Sequence, residues 1–262
     1  MPEGHKTHWI ARHHSQLLAG HTLRVFSPQG RFSQDAKRVD KQTLARVVAA
    51  GKHLFYQFDN HKIVHVHLGR YGSFREQTGA PEPRGLVRMR LFDGTTTIDL
   101  NGPTQCRVID MDTQSDIESK LGPDPLAGGD WKVVWQKVQA SNKPIGAIIL
   151  DQSVIAGVGN IFRAELFFET KIDPLTPGSE LTKTQFQALW KSLLKMMKTG
   201  LKYGKIITVT AKEAGKSLDQ LSDKERFRIY GKKFCPECGG DIQVPLIGSR
   251  KLYVCPHCQS MN

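Results

Sequence analysis

Four cysteines near the C-terminus have the type and spacing to hold a metal ion. Cys235 and Cys238 are two residues apart in FCPECGG, Cys255 and Cys258 are two apart in YVCPHCQ, and sixteen residues lie between the pairs. Thiolates at this spacing, on two hairpin knuckles, fit a tetrahedral zinc site. A redox pair does not explain two matching knuckles. His257 lies between two ligands and is not expected to be one, and the isolated Cys106 is expected to be structural. The other end of the chain raises different chemistry. In MPEGHK, trimming of Met1 would expose a secondary amine at Pro2, with the carboxylate of Glu3 directly behind it. Between the two ends lies AGVGNIFRAELFF. Here Gly157 and Gly159 allow tight backbone geometry, and Asn160 is a good N-cap for the helix that follows. Exposed N–H groups at a helix start bind phosphate well, although the stretch also reads as an ordinary connection between helices.

These groups need a scaffold. The chain has 262 residues, of which 39% are hydrophobic, enough to bury a core. Its 37 Lys and Arg against 25 acidic residues give a net charge of +12, which suits a polyanionic partner such as nucleic acid. No apolar run is long enough to cross a bilayer and no secretion signal is visible, so a soluble, intracellular protein is expected. Residues 3–18 predict a helix stopped by Gly20, and residues 21–110 predict β structure. KIVHVHL alternates, with Val64, Val66 and Leu68 on one face and His65 and His67 on the other. Asp93-Gly94 marks a hairpin between RMRLF and TTIDLNG. GPDPLAGGD is a linker by composition. NKPIGAIILDQSVI predicts a helix with proline in its first turn. The apolar spacing of Phe186, Leu189, Trp190, Leu193, Leu194 and Met197, behind a Thr182–Gln185 capping box, predicts a long one. Residues 204–228 are polar and aperiodic and read as a mobile loop. Arg250 and Lys251 fall at the turn between the two knuckle strands, placed to reach a phosphate.

Taken in order, MPEG, GKHLFYQF, HLGRYGSF, DLNGP, LDQSVIAGVGNIFRAE and CPECGG…CPHCQ resemble the formamidopyrimidine-DNA glycosylase/endonuclease VIII family. PEG and DLNGP are closer to the endonuclease VIII branch and its actinobacterial members. The resemblance covers nearly the whole chain. It implies an α+β multidomain fold: a catalytic two-sheet β-sandwich with a leading helix (1–121), a linker (122–130), a helix–two-turns–helix domain (131–228) and a zinc finger (229–262). It further implies a monomer with one structural zinc, whose partner is damaged duplex or partly opened DNA held in a cleft. The implied activity is excision of oxidised pyrimidines and ring-opened purines, followed by cleavage of the abasic site.

That activity gives MPEGHK a purpose. A secondary amine attacking the sugar C1′ forms an iminium that has no N–H proton to lose. It stays cationic, acidifies the C2′ proton and permits β-elimination, then δ-elimination. An α-amine titrates near 8, about two units below lysine, so a useful fraction is unprotonated at neutral pH. Pro2 is thus the expected nucleophile. By resemblance, Glu3 shuttles protons as the sugar ring opens, and Lys52 on the β-hairpin assists base excision. His67, Asn160 and Arg250 contact phosphates around a kinked backbone, and Arg70 and Tyr71 fill the void left by the everted base. One departure stands out: Lys6 occupies the place where many relatives have a second glutamate, so that role is absent or moved, with His5 and His8 as candidates. Two rival readings are a binding protein that has kept the fold but lost catalysis, and a zinc-ribbon transcription or RNA-binding protein. The second leaves MPEG and GKHLF unexplained.

Overall fold

The structure, a computed structural model, describes residues 2–259. Its contacts divide into two compact units. One comprises the residues up to Glu3 together with Thr7–Lys120, the other Gly4–Lys6 together with the chain from Leu121 onward.

The first unit begins with α1 (Gly4–Leu18), with Glu3 at the N-cap position and the chain leaving through Gly20 at φ +83. Then come β1 (Thr22–Phe26), the single turn α2 (Ser33–Ala36), β2 (Gln42–Ala50), β3 (His53–Phe58) and β4 (Ile63–His67). These are followed by β5 (Ser73–Thr78), β6 (Val87–Phe92), β7 (Thr96–Asn101), β8 (Gln105–Ile109) and α3 (Met111–Ser119). The strands run antiparallel in the order β5-β7-β6-β1-β2-β3-β4-β8. The β1–β2 ladder is only two pairs long, Thr22↔Thr43 and Leu23↔Gln42, so the sheet is jointed there into two four-stranded halves. A single apolar cluster draws on both halves. Val25, Leu91 and Leu100 come from one and Val47, Leu54 and Val66 from the other, with Ile10 and Leu18 of α1. The two halves therefore close on a shared interior as a sandwich.

The alternation of β4 holds. Val64 and Val66 join this cluster, while His65 lies with Phe55 on the opposite face. The β6–β7 hairpin turns at Asp93-Gly94, where the Asp93 carboxylate accepts from Thr95 N–H at 2.8 Å and Thr96 N–H at 2.6 Å. A buried ion pair crosses β6 and β7: Arg90 Nε donates to Asp99 Oδ1 at 2.6 Å and Nη2 to Oδ2 at 2.7 Å. Helix α3 was not anticipated. It is short and polar and buries little besides Gln114, so it has no apolar stripe to read.

The second unit contains α4 (Trp131–Gln139), α5 (Ile145–Ile148), α6 (Asn160–Thr170), α7 (Lys183–Tyr203) and α8 (Ala211–Ala214), then β9 (Leu246–Ile247) and β10 (Arg250–Lys251). Helix α6 is buried at every residue from Asn160 to Phe168, the mark of a central helix. It packs against α7, whose Thr182–Gln185 capping box forms as expected. Residues Cys235, Ile247, Leu252, Val254 and Cys255 share the α6–α7 core, so the C-terminal ribbon is fastened to the helices by apolar contact.

Two helical expectations need correction. Pro144 occupies an N-cap position rather than the first turn, and α5 is a single turn. Asn160 is the first residue of α6, and Gly159, in extended backbone, is its N-cap. Segment 204–228, expected as a mobile loop, carries α8 with its own Thr210–Glu213 capping box and buries Ile206 and Ile207. Its neck is closed by one buried carboxylate. Glu165 accepts from Thr208 Oγ1 at 2.5 Å and from the backbone N–H of Arg228, Ile229 and Tyr230 at 2.9, 3.0 and 2.7 Å.

Candidate active site

In the first unit, Pro2 is half-buried and Glu3 fully buried at the start of α1. Ala50 and His53 pair across the end of β2 and β3, leaving Gly51 and Lys52 as the two central residues of a tight turn. Gly51 has φ +54, a conformation that suits glycine in the first central position of such a turn. The first turn of α1 reaches this turn directly: the buried Thr7 hydroxyl donates to the Gly51 carbonyl at 2.6 Å.

His53 and His67 face each other across β3 and β4, with ring centroids 5.0 Å apart. Burial first, then the positive charge of Lys52, lowers the His67 pKa, so this imidazole and Lys52 share one neighbourhood. His53 Nδ1 lies 2.9 Å from His65 Nε2, and His65 stacks on Phe55. Burial, with His67 and Lys52 adding to it, holds His53 down at about 4. Burial, with His53, Arg107 and His67, holds His65 at about 3. A neutral imidazole face therefore lies beside Lys52 at physiological pH.

Arg70 and Tyr71 sit on the tight loop after β4, closed by Gly72 N–H donating to Leu68 C=O at 2.9 Å. Tyr71 is 76% exposed, and the Arg70 guanidinium lies 5.4 Å from its ring centroid.

The second unit brings Asn160 and Arg250 together through Arg163. This buried guanidinium donates to Asn160 Oδ1 at 2.7 Å and to the carbonyls of Arg250 and Lys251 at 3.2 and 3.0 Å. Asn160 Nδ2 donates in turn to Lys251 C=O at 2.9 Å. These bonds account for Asn160 failing to cap α6, since its side chain is committed to the ribbon hairpin. Gly4 N–H, which follows Glu3, donates to Gly157 C=O at 2.8 Å within this unit. His5 packs edge-on to Phe162, with centroids 5.2 Å apart.

The four cysteine sulfurs lie within 4.8 Å of one another, with Cys235–Cys258 at 3.8 Å and Cys238–Cys255 at 3.5 Å. Sulfurs about 2.3 Å from a tetrahedral metal stand about 3.8 Å apart, so these thiols can hold a metal ion. His257 is not in the cluster. Cys106 is partly buried on β8, and burial raises its thiol pKa to about 12, consistent with a structural residue.

Sequence reasoning passed over Thr7, His53 and Arg163. The placement of His65 beside His67 was visible in the KIVHVHL alternation. The partners of Thr7 and Arg163 lie far off in the chain and left no local signal.

Residues 1–110 match the formamidopyrimidine-DNA glycosylase N-terminal domain, and residues 121–212 match the formamidopyrimidine-DNA glycosylase H2TH domain. "Endonuclease 8 1" of Mycobacterium tuberculosis is 42% identical over 268 residues, covering 99% of this chain and 100% of that protein. "Endonuclease 8" of Pectobacterium atrosepticum is 26% identical over 99% of this chain and 100% of its own. Among solved structures, wild-type Lactococcus lactis Fpg in complex with N7-benzyl-Fapy-dG DNA superposes with a TM-score of 0.83 at 21% identity, over 98% of this chain and 99% of that one. The chain belongs to the formamidopyrimidine-DNA glycosylase/endonuclease VIII family. Members of that family are base-excision-repair DNA glycosylases that also carry AP lyase activity. Among the described residues no helix is long and apolar enough to cross a membrane.

Proposed function

We propose that this chain excises oxidised pyrimidines and ring-opened purines from DNA and cleaves the abasic site through an imine on Pro2. The observation that carries this reading lies in the first unit. Pro2 and Glu3 stand at the start of α1, and the Thr7–Gly51 hydrogen bond ties that helix to the turn bearing Lys52.

The steps follow from the residues. Met1 lies outside the described residues, and its removal frees the Pro2 amine. The amine attacks C1′ as the base leaves, and the base takes up a proton on departure. The ring oxygen is protonated as the sugar opens, a transfer assigned to Glu3, and leaves the cationic iminium. Loss of the C2′ proton expels the 3′ phosphate, and a second elimination expels the 5′ phosphate. Lys52 assists base departure as a cation, and the neutral His53 and His67 beside it bring no competing positive charge at neutral pH.

His67, Asn160 and Arg250 contact the DNA phosphates, and Arg70 with Tyr71 occupies the space of the everted base. The net charge of +12 supports a polyanionic partner, and the solved relatives include complexes with damaged or abasic-site DNA. Cys235, Cys238, Cys255 and Cys258 hold one structural zinc, which stabilises the ribbon and takes no part in the chemistry.

Borohydride trapping on an abasic-site duplex tests the reading. A wild-type cross-link mapped to the N-terminal peptide, and strongly weakened in Pro2→Gly and Pro2→Thr, is expected. No cross-link from zinc-loaded protein lacking Met1 would leave a DNA-binding protein without lyase chemistry.

A further inference from the structure

Helix α1 is stitched to strand β2 by two hydroxyls. Ser15 Oγ accepts from Val47 N–H at 2.8 Å and donates to Val47 C=O at 3.0 Å. Thr7 Oγ1 donates to Gly51 C=O at 2.6 Å, and Thr7 is 1% exposed. The spacings match. Eight residues of helix rise about 12 Å and four residues of strand about 13 Å, so helix and strand run antiparallel in step.

The two stitches do different work. Strand β1 pairs with β2 only at Gln42 and Thr43, which leaves the later part of that edge open. Ser15 satisfies both backbone groups of Val47 on this edge, so its role is to close a sheet margin. Thr7 acts on the turn instead. The carbonyl of the first central residue of a two-residue turn takes no part in the strand ladder, so a buried one needs a donor from elsewhere. That carbonyl belongs to the same rigid peptide plane as the Lys52 N–H. Whatever holds the Gly51 carbonyl also sets the plane from which the Lys52 side chain departs. Thr7 is itself linked back to the first residues, its N–H donating to Glu3 C=O at 3.4 Å.

We propose that Thr7 is a positioning residue for Lys52: its hydroxyl, donated to the Gly51 carbonyl, fixes the Gly51–Lys52 peptide plane against the helix whose start carries Pro2 and Glu3. The inference rests on the catalytic reading of Lys52 above. It assigns the link between the amine and the lysine to a side chain that touches neither DNA nor the reacting atoms.

The test uses full-length, zinc-loaded protein and three variants. Thr7→Val keeps the shape and removes the hydroxyl, Thr7→Ser keeps the hydroxyl, and Ser15→Ala removes the other stitch. Single-turnover base excision is measured on the best lesion from a panel of oxidised pyrimidines and ring-opened purines. Borohydride cross-linking to a preformed abasic site and the melting temperature are measured alongside. In Thr7→Val, excision is expected to slow about tenfold at unchanged half-saturation, the scale of one lost buried hydrogen bond, with cross-linking within about twofold of wild type. Thr7→Ser should restore excision. Ser15→Ala should melt earlier, as Thr7→Val does, and still excise at the wild-type rate. Wild-type excision by Thr7→Val overturns the proposal. So does a loss that tracks melting temperature equally in Thr7→Val and Ser15→Ala, because that is the mark of a purely structural hydroxyl. A wild type that excises none of the panel overturns the catalytic reading of Lys52, and this inference with it.

Discussion

His53 Nδ1 and His65 Nε2 stand 2.9 Å apart on adjacent strands, an imidazole–imidazole hydrogen bond on the sheet face next to Lys52. One ring donates and the other accepts, so the pair persists only while at least one imidazole is neutral.

Stability should therefore fall with pH in a defined window. His53 is lowered to about 4 and His65 to about 3, both chiefly by burial, whereas an unfolded histidine titrates near 6.5. Between those values the unfolded chain binds more protons, so the neutral pair contributes fully above about 6.5 and progressively less as pH drops. Chemical denaturation at pH 7 and pH 4.5 should differ by about 5 kcal/mol from this pair, about half from each ring, and His65→Phe should remove about half of the difference. Glu76, lowered to about 2 mainly by its hydrogen bond from His14, acts in a lower window, losing its contribution as pH falls from about 4.5 to 2. Glu76→Gln should leave the upper window intact.

A methyl group at residue 4 should be costly. A Cβ there would meet Gly157 Cα at 2.7 Å and Gly157 O at 3.1 Å, and Gly157 is itself held at φ +87. Both neighbours are backbone and neither can turn aside. Gly4→Ala should destabilise by about 1–3 kcal/mol and reduce borohydride cross-linking, since residue 4 directly follows the proposed catalytic pair. Parallel calorimetry and trapping check both effects.

Metal removal should act on the second unit's core. Cys235 and Cys255 are packed with Ile247 and Leu252 against α6 and α7. Elemental analysis should find about one zinc per chain. Chelation should release it, lower the melting temperature and weaken DNA binding. Cys255→Ser should reproduce these effects without chelator.

The Arg90–Asp99 pair predicts a non-additive result. Side-chain exposures are 5% and 1%, so removing one partner strands a charge in the interior. Asp99→Ala should cost about 3–5 kcal/mol, while the double replacement Arg90→Met/Asp99→Leu should recover most of it. Urea denaturation of wild type, Asp99→Leu, Arg90→Met and the double variant measures the coupling, and Asp99→Ala alongside gives the cost of the stranded charge.

Legibility in the sequence followed the range of the causes. The Thr182–Gln185 cap, the β4 alternation and the hairpin at Asp93 are set by residues a few positions apart, and each could be read directly. The four thiols could be read because two short knuckles announce themselves. Asn160 was misjudged because its side chain had a better distant option, Arg163 and the Lys251 carbonyl, than its own helix. Segment 204–228 looked structureless because its anchor, Glu165, lies some forty residues upstream. Thr7 resembled any helix threonine, since nothing near it names Gly51 as its partner.

The Glu165 clasp has a consequence for how this protein can vary. It grips Thr208 on one side and the amides of Arg228, Ile229 and Tyr230 on the other, so both ends of the intervening stretch are fixed by a carboxylate that belongs to neither. The exposed positions between them are free to vary while the clasp holds, but two inner residues are tied into the fold: Leu221 is buried, and Glu213 accepts from the Arg228 guanidinium. A directed library confined to the exposed positions of 209–225 could explore new surface chemistry on an unchanged chassis, with Glu165, Glu213 and Leu221 the positions to leave alone.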